Sequence, residues 1–120
     1  MRLSTLAVVL VALLALEHVY ILILEMFRWE SAATRRTFGM TEEFARATKS
    51  LAANQGLYNG FLAAGLVWSL LAPAPLREPI AIFFTSCVLV AGIFGGATAT
   101  PRIWIVQALP ALITLLAVVL

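Results

Sequence analysis

Glu17, His18 and Glu25 are the side chains of this sequence best suited to accept or pass on a proton. All three stand in a single stretch, Leu3 to Phe27, that is otherwise apolar. Ionisable groups at membrane depth cost roughly 2.5–3.5 kcal/mol each on insertion scales, so they turn towards protein and mark functional sites. Glu25 would serve as the anionic or proton-accepting group, with His18 as its proton partner or hydrogen-bond donor. That is chemistry a transporter or an acid–base enzyme can use.

Helical geometry decides which groups can meet. Residues seven apart nearly eclipse at about 100° per residue, so His18 and Glu25 share a face and Trp29 follows one turn later. Glu17 lies about 100° round from His18. It is open to three readings: protonated, paired with another helix, or part of the same site. A second apolar run carries Asn54, Gln55, Tyr58 and Asn59 within six residues. Counting depth from the intervening polar segment sets Glu25 near Asn54 and Gln55, and His18 near Tyr58 and Asn59. Thr98, Gln107 and Arg102 fall at the same end of two later runs. Groups from four helices at one depth predict an intramembrane polar pocket open to the cytoplasm. The competing reading is that the Asn, Gln and Thr side chains simply hydrogen-bond between helices, at about 0.6–2 kcal/mol each.

The elements that must position these groups follow from composition. Hydrophobic types make up 62% of the 120 residues, charged types 12%, and mean hydropathy is +1.01. A soluble domain is nearer 45–50% apolar and about 25% charged. Four runs approach the roughly 20 apolar residues a spanning helix needs, at 3–27, 51–71, 80–99 and 103–120. Because backbone amides in lipid must be paired internally, helices are expected throughout. The first run is too long for a signal peptide, contains Glu17 and His18, and has no convincing cleavage site. Between the first two runs lies the one sizeable polar segment, 28–50. In it Phe38-Gly39-Met40 reads as a break. Thr41 with Glu42 and Glu43 reads as a capped helix start that runs on into the second span. Ala72-Pro73-Ala74-Pro75 and Thr100-Pro101-Arg102 read as tight turns. Short connections make sequential helices antiparallel neighbours, so the expected fold is all-α, a transmembrane four-helix up-down-up-down bundle in one domain.

Arg28, Arg35, Arg36, Arg46, Lys49 and Arg102 flank one side, against Arg2 and Arg77 on the other. The positive-inside rule then sets both termini outside and 28–50 in the cytoplasm. The formal charge of +2 and the pI of 9.2 reflect these flanks and point to no nucleic acid. Gly56/Gly60 and Gly92/Gly96 are small-xxx-small pairs, suited to packing within the bundle or to a homodimer. Pro110 is placed to kink the last helix beside Gln107. His18 and Glu25 lie about 10 Å apart along the axis, too far to share one ion on a straight helix, and a metal on His18 would need a ligand from another helix. No metal or cofactor is expected, and the lone Cys87 has no partner for a disulfide.

Several blocks resemble a known family. They are Glu17-His18-Val19-Tyr20-Ile21, Leu24-Glu25-Met26-Phe27 with Trp29, Phe38-Gly39, Asn54 to Gly65, Ala91 to Thr98, and Gln107 with Pro110. Together they resemble a group of small bacterial membrane proteins, the domain of unknown function family 1304. The resemblance covers almost the whole chain. It implies a four-helix protein of the bacterial inner membrane and brings no activity with it. The leading expectation is therefore a pocket that binds a small or amphipathic ligand in the bilayer, in a possible proton-coupled transporter. Its lining would be Glu17, His18, Glu25, Trp29, Asn54, Gln55, Tyr58, Asn59, Thr98, Arg102 and Gln107. The alternatives are a membrane enzyme acting on a lipid or isoprenoid, with Arg102 or Arg28 on the head group, and a structural subunit of a membrane complex.

Overall fold

The computed structural model describes residues 2–120. Among them 86% are helical and none forms a strand. The elements in order are α1 (Thr5–Phe27), α2 (Ala32–Phe38), α3 (Glu42–Ala47), α4 (Lys49–Leu71), α5 (Ala74–Thr98), a π-helical turn (Trp104–Ala108) and α6 (Leu109–Val119). The expected count of four helices is corrected to six.

The two additional helices come from segment 28–50, where capping chemistry starts and stops each one. Ser31 accepts the Thr34 amide to open α2. Gly39, at φ 66, closes it in the left-handed region. Thr41 accepts the Phe44 amide to open α3, as its sequence position suggests. That helix does not continue into the next one. Thr48 leaves helical geometry at φ -105 and ψ 6, and its hydroxyl donates to the Phe44 carbonyl at 2.8 Å, an acceptor that the Thr48 amide also reaches at 3.0 Å. A Cβ at Gly39 would meet nothing within 4 Å, so a substitution there tests backbone conformation alone. Gly39→Ala is expected to cost about 1–2 kcal/mol, read as a lower unfolding midpoint.

The other boundaries also move. The third apolar run becomes α5, which starts at Ala74 rather than at residue 80, because Pro75 is compatible with a first turn, where its missing N–H is not needed. The last helical stretch, Trp104–Val119, is shorter than a span and begins with a π turn. Pro110 cannot donate to the carbonyl four residues back, and the Leu109 amide reaches the Trp104 carbonyl instead. Among the described residues two helices, α1 and α5, are long and apolar enough to cross a membrane. α4 matches α1 in length, but Lys49, Asn54, Gln55 and Asn59 make it less apolar.

Two compact units divide the chain: residues 17–61, and residues 1–16 with 62–120. In the second unit the core is built of small residues. Ala7, Val11, Leu14, Ala15, Leu66, Ala81, Val88, Ala111 and Val118 are buried, together with the hydroxyls of Ser69, Thr85 and Thr114. Leu13, Phe83, Val90, Phe94, Ile105 and Leu116 are exposed. α5 comes close to the π turn at its glycines: a Cβ on Gly92 would lie 2.6 Å from the Ala108 nitrogen, and one on Gly96 would collide with the Trp104 ring. The Trp104 indole N–H donates to the Ile93 carbonyl at 3.1 Å.

Candidate functional site

Within unit 17–61 the end of α1 packs on the start of α4 through two glycines. A Cβ on Gly56 would stand 2.6 Å from Met26 Cγ and 3.0 Å from Glu25 Cβ, and one on Gly60 would stand 2.6 Å from Leu22 Cδ1. Met26 faces Gly56 and Leu22 faces Gly60, so these segments run antiparallel. Absence of side chains at both glycines brings the backbones close. The short amide of Asn59 then reaches across, and its Nδ2 donates to Glu25 Oε1 at 2.6 Å. Asn59 is buried, on the α4 stripe that also holds Ala52, Gly56 and Ala63. Glu25 is half-buried, and no basic side chain among the described residues pairs with it.

His18 is completely buried. It continues the buried stripe of α1 through Val11 and Leu14, at spacings of three and four. Its Nδ1 lies 3.8 Å from Glu17 Oε1, inside ion-pair reach but beyond a hydrogen bond. Consistently, Glu17 Oε1 is buried with no hydrogen-bond partner. Adjacent residues on a helix diverge too far for their side chains to meet well.

The pairing differs from the depth count. Glu25 pairs with Asn59, not with Asn54 or Gln55, which are exposed, as is Tyr58. The count assumed that both helices leave the polar segment level with each other. At the polar end the Trp29 indole donates to Thr48 Oγ1 at 3.0 Å and Lys49 Nζ approaches Glu30 Oε1 at 3.2 Å. A Cβ on Gly56 would stand 3.0 Å from Glu25 Cβ, so Glu25 lies beside the residue that follows Gln55, and the facing of α4 decides which amide reaches it. The Trp29 ring also lies 5.2 Å from that of Phe38. Thr48 was missed from sequence, although an indole N–H in a polar segment is a signal that an acceptor is required.

Thr98, Arg102 and Gln107 belong to the other unit. Thr98 is exposed and donates to the Phe94 carbonyl of its own helix at 2.7 Å, as a packing residue would. Arg102 is exposed, and Gln107 is half-buried inside the π turn. No group of three or more His, Cys, Asp or Glu side chains among the described residues is placed to hold a metal ion.

Residues 12–119 match the family model described as "Protein of unknown function (DUF1304)", and the chain belongs to that family. Among its relatives is the "Uncharacterized protein YpaA" of Lactococcus lactis subsp. lactis (strain IL1403), 34% identical over 106 residues, covering 87% of this chain and 88% of that protein. No solved structure matches the chain.

Proposed function

We propose that this chain is a small multi-pass protein of the cytoplasmic membrane. Its Glu25–Asn59 site, with His18 and Glu17 on the same helix, binds a small or amphipathic ligand and couples its movement to a proton. One observation carries the reading: a carboxyl group on an apolar helix whose partner is a neutral amide on another helix, with no cation among the described residues paired to it. A purely structural carboxylate gains most from a cationic partner or a backbone donor set. A site that must exchange a proton or a charged ligand needs a partner that tolerates both states, and an amide does. Burial of small residues with exposure of Leu, Phe and Val supports a lipid setting, since contiguous apolar surface is rare on soluble monomers. The excess of Lys and Arg in 28–50 supports placing that segment in the cytoplasm with both termini outside.

The test uses proteoliposomes carrying a pH gradient and three fluorescent probes: a lipophilic cation, a lipophilic anion and a neutral amphiphile. Gradient-driven accumulation of one probe class, dependent on the protein, is expected. Equal behaviour of all three with and without protein would sink the reading.

A second reading has its own observation. Asn54, Gln55 and Tyr58 lie exposed on α4, and amides in lipid need partners. Amide side chains donate and accept alike, so a second copy of the chain can satisfy them symmetrically. Replacing both Asn54 and Gln55 with Leu is then expected to weaken a homodimer by about 1–3 kcal/mol, read by single-molecule photobleaching in bilayers. An unchanged monomer–dimer distribution would remove this interface.

A further inference from the structure

The unit formed by residues 1–16 and 62–120 holds a cleft of about 370 Å³ lined by Arg2, Leu3, Val8, Leu70, Ala74 and Arg77. It gathers the start of α1, the end of α4 and the first turn of α5. Two of its six lining residues are arginines and none is acidic, although Glu78 follows Arg77 directly in sequence. The other four are apolar.

Arg77 is held in place. Its Nε donates to the Ala72 carbonyl at 2.7 Å, which anchors the guanidinium against the turn before α5 and leaves its terminal N–H groups for another acceptor. Arg2 makes no hydrogen bond or ion pair to a described residue. Two arginines lining one cleft bring like charge together, which an anion would offset, and planar N–H forks suit phosphate oxygens in particular. Apolar walls beside them suit an acyl or glycerol portion better than a bare ion.

We propose that the Arg2–Arg77 cleft is a binding site for a phosphate-bearing anion, namely the head group of an anionic lipid or free phosphate. It is separate from the Glu25–Asn59 site and does not depend on what that site does.

The full chain, purified in a neutral detergent, is titrated with phosphatidylglycerol or phosphatidylcholine and read by native mass spectrometry. Phosphatidylglycerol is expected to bind more tightly, and Arg2→Gln to weaken it about tenfold. Arg77→Gln should do the same, but it also removes the bond to Ala72, so Arg2→Gln is the variant that tests the site without disturbing a turn. Arg35→Gln with Arg36→Gln, in the polar segment, should leave binding unchanged. Inorganic phosphate supplies the second arm. Displacement of the lipid by phosphate at matching concentration assigns the site to free phosphate, and failure to displace it assigns the site to the head group. Equal affinity for the two lipids, or phosphatidylglycerol binding unaffected by Arg2→Gln, would overturn the proposal.

Discussion

Gly92→Ala is expected to destabilise the protein by about 3 kcal/mol or to prevent its folding, the upper end of what over-packing costs. An added Cβ would stand 2.6 Å from the Ala108 nitrogen, 2.8 Å from its Cα and 2.9 Å from its Cβ. These atoms are mostly backbone and cannot rotate aside, so relief requires moving the π turn away from α5. That movement would pull Trp104 from its place over Gly96 and its hydrogen bond to the Ile93 carbonyl. Gly95→Ala is the matched control. There the new methyl would meet only the Ile103 side chain, at 3.2 Å and 3.3 Å, which can yield by a few tenths of an ångström. Alanine also favours the helix by about 0.8–1.0 kcal/mol over glycine, which offsets the crowding. Unfolding in mixed micelles, titrated with a denaturing detergent, should show a large shift for Gly92→Ala and almost none for Gly95→Ala. Similar shifts for both would mean that the helices are held apart by something other than glycine.

This contrast between neighbouring glycines shows where the sequence was legible. Spacing alone picks out Gly92 and Gly96, one turn apart on a helix, and both are contact points. The same holds for Gly56 and Gly60, which receive Met26 and Leu22. In each case the close approach is made by this chain's own helices, the packing reading of the motif. The caps at Thr41 and Gly39 were equally readable, because each depends only on residues one turn away. The separate helices α2 and α3 were not. Whether a capped turn joins the next helix depends on a residue such as Thr48, which leaves helical geometry while its hydroxyl accepts from the Trp29 indole 19 residues away.

The candidate site was legible in kind and illegible in facing. Residue type marked out Glu25 and the amides of α4, and a Glu25–amide pair exists. Which amide it would be could not be read from the sequence. Depth counting gives position along a helix but not which way each side chain faces, and a Cβ on Gly56, next to Gln55, would stand 3.0 Å from Glu25 Cβ while Gln55 itself is exposed. The facing of α4 exchanges Asn54 and Gln55 for Asn59, and it changes the site's character. Asn59 shares the α4 stripe with Gly56, so the amide is delivered by the same close contact that holds the helices together. Asn54, Gln55 and Tyr58 are left on the exposed side.

Glu25→Gln is expected to preserve the fold and to lower proton-coupled flux by about a hundredfold or more, the scale on which a positioned proton-transfer group contributes. The substitution keeps an oxygen that can accept from Asn59 Nδ2, so the contact between α1 and α4 survives and the stability change should stay within about 1 kcal/mol. What it removes is the ability to bind and release a proton. Asn59→Leu acts the other way. It retains the carboxyl group but deletes the donor at 2.6 Å, leaving a half-buried acceptor unsatisfied at a cost of about 1–3 kcal/mol. Replacing both residues by apolar ones of similar size, Glu25→Met with Asn59→Leu, should recover much of that stability while leaving flux absent, because a pair removed together leaves no orphan behind. The three variants thus separate a working site from interhelical glue. Glue predicts that flux follows stability across the series, so that the double variant regains both. A working site predicts that they part company, with Glu25→Gln stable and inactive. Flux in Glu25→Gln indistinguishable from the parent would leave the Glu25–Asn59 bond as a packing contact and take the proposed coupling with it.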